Sequence, residues 1–287
     1  MNTTSPNPLL KHFRQPKVYI RLPSNGEYYN GAIEKTETGE YPVLGMTARD
    51  ELMYKTPDAL LNGQATVDVI QSCVPNIKNA WSIPVIDLDV ILIGIRIASM
   101  GEKMDINFTV PGLNEERSYD VNLVTLLDQL YSQTYDNIVH VNDFTVELKP
   151  VSYKTFNDMS LKTFEEQRIF NLLKDNSISE TLKLEKIQQS FSNLTNLNIA
   201  LIKDSIMSVR YMDEPAVTQR THINEFIDQC EKEVYSEIVK HIETQKKKFA
   251  LKPLKVEFSK EDQEKGAPPL IEIPMRLDQA SFFGKGS

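Results

Sequence analysis

The sequence is poor in cysteine and histidine, which limits the chemistry that it can support. Its 287 residues include two cysteines, Cys73 and Cys230, and four histidines. The histidines lack the spacing of metal ligands, and no cysteine lies near any of them; they are His12, His140, His222 and His241. Each cysteine lies in an apolar helical pattern, far from the other. We therefore predict buried free thiols, which fit a reducing compartment.

The familiar catalytic motifs are also missing. There is no Walker-type loop, no GxGxxG and no GxSxG, and no serine or cysteine is a sequence neighbour of a histidine. The acidic pairs Glu115-Glu116 and Glu165-Glu166 fall in a turn and at a helix start, where solvation and the helix dipole explain them. A triad assembled from distant residues stays open. We predict no catalytic residue, no cofactor and no metal, and therefore a protein that is not an enzyme.

Basic surface and long apolar runs are scarce as well. The net charge is -8, which argues against nucleic-acid binding, because that requires a basic face. The one run of three lysines, 246–248, falls near a predicted helix end, where cations favour the dipole. The sequence contains no run of 18 apolar residues, so it does not predict a membrane helix. The N-terminus lacks the apolar core of a signal peptide. We expect no membrane insertion and a cytoplasmic site of synthesis.

The strongest helix signals lie within residues 46–101. Thr47 and Asp50 have the spacing of a capping box at the start of a first helix. Pro57 should end that helix and begin a one-turn helix, which Asn62-Gly63 stops. A third helix is predicted over 64–73 from its apolar spacing.

A fourth segment is apolar nearly all round, from a predicted cap at Asp87 to a stop at Gly101. Its β-branched residues suggest a strand, but its length and end signals favour a central helix. Arg96 is the one charge in the apolar run, and a buried guanidinium must be paired. We predict a structural ion pair of Arg96 with Asp50. Glu51 and Asp89 are further candidates, and a ligand or partner contact is the alternative.

Short strands are predicted on both sides of these helices. Those before the helices are 17–22, 27–34 and 39–46, and those after are a hairpin of 104–110 with 117–123 and a pair, 137–142 with 144–153. Residues 123–131 read as a short helix or a loop.

The second half changes to helical periodicity. Helices are predicted from Ser160 to Leu173, from a capping box at Ser177 and Glu180, over 194–212, and from a cap at Thr221 to Ile242. Short polar links between them suggest a helical bundle. An extended hairpin follows.

Taken together, these patterns predict an α+β fold with a small β/α N-terminal domain, a C-terminal helical bundle and a terminal β-hairpin. The boundaries that we predict are an extended arm over 1–16, a mixed β/α domain over 17–153, a helical domain over 154–252, and a hairpin with an aromatic tail over 253–287.

Both ends of the chain carry apolar side chains that a solvated tail would not need. The arm has Leu9, Leu10 and Phe13, and the tail has Phe282 and Phe283. Adjacent aromatics near a chain end need a pocket. We predict these five residues to be partner-binding, although an arm that packs on its own domain stays open.

Several runs carry a family resemblance that covers nearly the whole chain. They are LPSNGEYY, GMTARDELMYKTPDALLNGQATVDVIQSCVPNI, IDLDVILIGIRIASMGEKMDI, VELKPVSYKTF, FEEQRIFNLL, HINEFI and the terminal SFFG. The chain thereby resembles the baseplate hub proteins of T4-like contractile-tailed phages. Proteins that this chain resembles often look like they carry CxxC pairs in two hairpins, where this chain reads TVPGLNEE and VEFSKEDQ. Without thiolates a zinc ribbon cannot form, so we expect hairpins held by turns and packing.

The resemblance implies a structural component of a contractile tail baseplate hub that acts through protein–protein contacts in baseplate assembly. Its partners would be other hub and tail proteins, and it would reside in the virion tail after assembly in the host cytoplasm. Oligomerisation within the baseplate stays open. The alternative is a cytoplasmic assembly chaperone absent from the mature virion, and a third hypothesis is a cell-wall hydrolase.

Overall fold

A computed structural model describes Leu9 and residues 13–54, 63–172 and 179–275. The chain is an α+β protein with small antiparallel sheets, as predicted. The predicted one-turn helix after Pro57, the cap at Ser177 and the aromatic tail lie outside the described residues. In chain order, the described elements are β1 (Pro16–Arg21), β2 (Glu40–Leu44), α1 (Ala48–Tyr54), α2 (Gln64–Cys73), a 3₁₀ turn (Ala80–Ser82), α3 (Val85–Met100), β3 (Lys103–Thr109), β4 (Glu116–Asn122), α4 (Leu123–Tyr131), β5 (Ile138–Val141), β6 (Phe144–Leu148), α5 (Tyr153–Leu172), α6 (Glu180–Ser205), β7 (Ile206–Tyr211), α7 (Arg220–Gln229), α8 (Lys232–Phe249), β8 (Leu254–Glu257), α9 (Lys260–Glu264) and β9 (Leu270–Ile273).

Helix α3 is the centre of the larger core, and the helical interpretation of this segment is confirmed. It packs on the antiparallel β1–β2 ribbon and on α2, α4 and α5. Gly94 sits where α3 meets β1, and a Cβ there would lie 2.7 Å from Cγ2 of Ile20. The absence of a side chain therefore lets the helix and ribbon approach closely. Gly101 ends the helix with a positive φ of 97°, as its sequence position predicted.

Two local predictions in this region are wrong. Asp87 does not cap α3, since the helix begins after Pro84 and Asp87 lies within its first turn. Its side chain instead turns into the core, where it is fully buried. The predicted strand 27–34 is a series of turns with one isolated bridge at Ile33. Tyr28 and Asn30 have positive φ there, a conformation that a strand cannot use.

The two predicted hairpins form and contact each other. Strands β3 and β4 pair over seven residues, and β8 pairs with β9. Val110 from the first turn packs with Val256, Phe258 and Ala267 of the second hairpin in a separate apolar cluster. Arg117 adds a bidentate ion pair to Asp262, with N–O distances of 2.7 and 3.0 Å.

A second core forms around the antiparallel sheet β5–β6–β7. The helix predicted over 194–212 is wrong in its last third, because residues 206–211 leave α6 as strand β7 and pair with β6. The helix predicted from Thr221 to Ile242 is two helices, since Cys230 and Glu231 adopt extended backbone. Helices α7 and α8 pack on strands that the sequence assigned to the preceding domain.

Helices α5 and α6 form a helical hairpin between these two cores. Helix α5 starts at Tyr153, seven residues before the predicted start at Ser160. The N-cap of α6 is Ser179 and not the predicted Ser177. Helix α6 has 26 residues, so it spans about 39 Å at 1.5 Å per residue. In the described part of α6, Ser190, Ile202 and Ser205 are buried. Most of its length is therefore a surface feature.

Candidate partner-binding surfaces

The predicted partner-binding residues of the N-terminal arm are exposed where the structure describes them. Phe13 is 54% exposed and Leu9 is 59% exposed. Leu10, Phe282 and Phe283 lie outside the described residues. Exposure of two large apolar side chains in an arm is compatible with partner binding, which stays a prediction for all five residues.

The arm is fixed to the body at Arg14. One guanidinium nitrogen donates to the carbonyl of Gly45 at 2.7 Å, and the other donates to the carbonyl and hydroxyl of Ser72 at 2.5 and 2.8 Å. Asp50, whose side chain is buried, lies 3.4 Å from the first nitrogen. Asp50 also accepts from the Thr47 amide at 2.7 Å, as the predicted capping box requires. The arm therefore leaves the body from a defined point beside α1.

The predicted ion pair between Arg96 and Asp50 is replaced by this arrangement. Asp50 pairs with Arg14, while Nε and Nη1 of Arg96 have no hydrogen-bond partner among the described residues. Arg96 is 7% exposed, and burial lowers its pKa from the usual value. The capping box holds Asp50 against α1 and the arm, so its carboxylate is already used. Sequence reasoning missed Arg14 because it assigned residues 1–16 to an extended arm, whereas Arg14 contacts the body.

The α5–α6 hairpin is held together by a polar bridge as well as by apolar packing. The carboxylate of Glu166 on α5 accepts from the hydroxyl of Ser190 at 2.5 Å and from the amide of Asn193 at 2.8 Å, both on α6. These hydrogen bonds stabilise the charged form and lower the pKa of Glu166. We call the row of α6 residues that continues from Ser190 along the contact with α5 the seam. Its members, at alternating three- and four-residue spacing, are Ile187, Ser190, Leu194, Leu197 and Leu201.

One side of this hairpin carries exposed aromatic and apolar side chains without any charge. Positions spaced by three and four residues share one side of a helix, and all nine such positions here are exposed. We call this set the aromatic face: Phe156, Ser160, Phe164 and Gln167 on α5, and Leu184, Gln188, Phe191, Thr195 and Asn198 on α6. The two helices carry six charged residues each, and none of these twelve is among the nine; Glu180, four residues before Leu184, continues the same row at the very start of α6.

The other side of the hairpin is a polar groove, lined by Lys162, Glu165, Glu166, Asn193, Asn196 and Leu197. The helical positions of these residues lie opposite the aromatic face on both helices. The hairpin thus has two chemically distinct sides. Phe164 and Phe191 are 60% and 59% exposed on the apolar side, and such residues are enriched in the buried centres of protein interfaces.

Sequence reasoning missed the aromatic face because it merged two rows of residues. Leu184, Ile187 and Phe191 have the helical or near-helical spacing of one apolar stripe in the sequence, but Ile187 belongs to the seam and the other two are exposed on the aromatic face. The seven-residue spacing of Leu184 and Phe191, offset from the seam, was the available signal.

The remaining findings concern possible metal ligands, the two cysteines and the helix lengths. No group of three or more His, Cys, Asp and Glu side chains in the described part of the chain could hold a metal. Cys73 and Cys230 are both free thiols, as predicted, but Cys73 is buried whereas Cys230 is only half-buried. Burial raises the pKa of Cys73 to about 12. Within the same residues, no helix has both the length and the apolar character needed to cross a membrane.

Comparison with known proteins adds an independent result. Residues 19–264 match the model of a family described as T4 bacteriophage base plate protein. The chain belongs to this family. The resemblance found in the sequence is confirmed at this level, and the chain is a phage baseplate protein of a structural family. No curated protein and no solved structure matches it.

Proposed function

We propose that this baseplate protein is a structural component of the contractile tail baseplate hub and acts through protein–protein contacts during baseplate assembly. The observation that supports this most directly is the aromatic face of α5–α6. A two-helix hairpin that exposes Phe164 and Phe191 on an uncharged side leaves apolar area in water, and contiguous exposed patches of this kind mark interaction sites. The N-terminal arm anchored at Arg14 is the second surface that we propose to contact a partner protein.

A double substitution tests whether the aromatic face is needed for assembly. Phe164→Glu with Phe191→Glu places two charges on the face, and desolvating them would oppose binding. We expect baseplate assembly and phage yield to fall sharply while the circular dichroism spectrum is unchanged. Asn196→Glu, on the polar groove, is the matched control. Normal assembly by the double variant would contradict the proposed role.

The alternative is an assembly chaperone, and its binding surfaces would be the same. Mass spectrometry of purified virions separates the two: a hub component is retained in stoichiometric amount, whereas a chaperone is absent. A cell-wall hydrolase is the third hypothesis. A peptidoglycan zymogram cleared by the purified protein would support it and overturn the structural role.

A further inference from the structure

We propose that the aromatic face of α5–α6 binds the same face of a second copy of this chain, so that two hairpins form a four-helix bundle about a two-fold axis. The inference rests on the proposed function only in using this face for protein–protein contact. What the inference adds is that the molecule bound at this face is a second copy of the same chain.

The internal register of the hairpin places its two most exposed aromatic rings at one level. Glu166 is bonded to Ser190 and Asn193, so these three residues lie opposite one another. Phe164 precedes Glu166 by two positions, and Phe191 follows Ser190 directly. Both phenylalanines therefore lie near the bridge, on the side away from the groove. A two-fold axis at this level, perpendicular to the helices, brings each ring onto its equivalent in the other copy.

Charge favours this side of the hairpin for contact between identical copies. Two chains of net charge -8 repel each other, and an isologous interface must be complementary to itself. The aromatic face meets both conditions because it has no charged residue. The groove side, with Lys162 and Glu165, would bring like charges near the axis. The same axis sets the helices antiparallel, which moves the two bodies to opposite ends of the bundle.

The face alone is smaller than a typical specific interface, which predicts a weak dimer. Its rows span residues 156–167 on α5 and 184–198 on α6, so two stretches about 10 Å wide and about 18 and 22 Å long offer on the order of 400 Å² per copy. Specific interfaces bury about 800 Å² per partner. The heptad-like seam between α5 and α6 is also the packing that four-helix bundles use.

Sedimentation equilibrium of the purified full-length protein tests the proposal. We expect a monomer–dimer equilibrium, and the Phe164→Glu, Phe191→Glu variant should raise the dimer Kd by about a hundredfold or more, as loss of two aromatic hot spots does. Asn196→Glu should leave the Kd unchanged. A wild-type protein that stays monomeric at all concentrations, or a dimer that the double variant does not weaken, would overturn the proposal.

A cysteine variant gives a readout that does not depend on the folding of the charged variant. Phe164 lies close to the proposed axis, so Phe164→Cys should form a disulfide-linked dimer under mild oxidation, whereas Asn196→Cys should not. Equal cross-linking of both variants would overturn the arrangement. A third outcome separates this proposal from the proposed function. If the wild-type chain is monomeric and the double variant no longer binds a different baseplate protein, then that protein, and not a second copy, occupies the face. The dimer would be overturned and the proposed function would stand.

Discussion

The buried carboxyl of Asp87 should make the stability of this protein fall as the pH rises. Asp87 is fully buried on α3 and accepts hydrogen bonds from the amide of Ser24 at 2.8 Å, from the Ser24 hydroxyl and from the Tyr29 hydroxyl at 3.0 Å. These bonds favour the charged form, but the loss of hydration is larger. Burial therefore raises the pKa of Asp87 from 3.8 to about 7.

The direction of the effect follows from proton binding in the two states. Between the unfolded pKa of 3.8 and the folded pKa of about 7, the folded chain holds more protons than the unfolded chain. The stabilisation is thus complete below the unfolded pKa and is lost as the pH rises through the folded pKa. At about 1.4 kcal/mol for each tenfold change in proton affinity, the full loss is about 4 kcal/mol. About 3 kcal/mol of it falls between pH 5 and pH 8.

Asp87→Asn isolates this contribution. An amide can accept from the Ser24 amide and donate to the two hydroxyls, which rotate to accept, so it mimics the protonated acid. We expect urea denaturation to show the variant more stable than the wild type at pH 8, with the difference vanishing towards pH 4. Asp87→Ala leaves the Ser24 amide without its acceptor and should be less stable at every pH. Parallel pH profiles for wild type and Asp87→Asn would refute the reasoning.

Three further predictions concern Arg96, Arg14 and the C-terminal residues from Phe282. Arg96→Met should raise the free energy of unfolding by about 1–2 kcal/mol, because it removes two buried guanidinium nitrogens, Nε and Nη1, that have no partner among the described residues. A loss of stability in urea titration would contradict this reasoning. Arg14→Met should cost about 2 kcal/mol, and a double-mutant cycle with Asp50→Asn should show coupling between the two residues; additive effects would contradict the anchor. Deletion of residues from Phe282 onward should reduce capture of baseplate partners while leaving the melting temperature unchanged, and the reverse pattern would count against a partner-binding tail.

Local signals predicted the elements whose ends are encoded nearby. The capping box of Thr47 and Asp50, the stop at Gly101 and the two hairpins needed only turn residues and periodicity. Strand β7 could not be predicted in this way. Ile202, Ile206 and Val209 fit helical spacing, and the residues after Ser205 become a strand because β6 offers them a pairing edge. That edge exists only after the chain has folded.

Side-chain partners distant in sequence were the second source of error. Asp87 has the residue type and position of a helix cap, yet Ser24 and Tyr29, 63 and 58 residues away, draw it inward. Asp50 was assigned to Arg96 because both lay in the same predicted core, whereas Arg14 reaches it from the arm. In both cases the partner came from another element, which local periodicity and spacing do not reveal. Arg96, which was expected to be paired because it is buried, has no hydrogen-bond partner for Nε and Nη1 among the described residues.

These internal pairings bear on how the interaction tests should be interpreted. The body satisfies Asp87, Asp50 and Asp262 with its own groups, whereas the aromatic face leaves exposed apolar side chains that contribute little to either core. Substitutions on that face should therefore change association and leave unfolding nearly unaffected, because surface positions away from buried networks seldom alter stability by more than about 0.5 kcal/mol. Substitutions of the buried carboxylates Asp87 and Asp50 should do the reverse. A Phe164→Glu variant that lost several kcal/mol of folding stability would show that the face is covered within the monomer, and both the dimer and the assembly role assigned to it would then have to be abandoned.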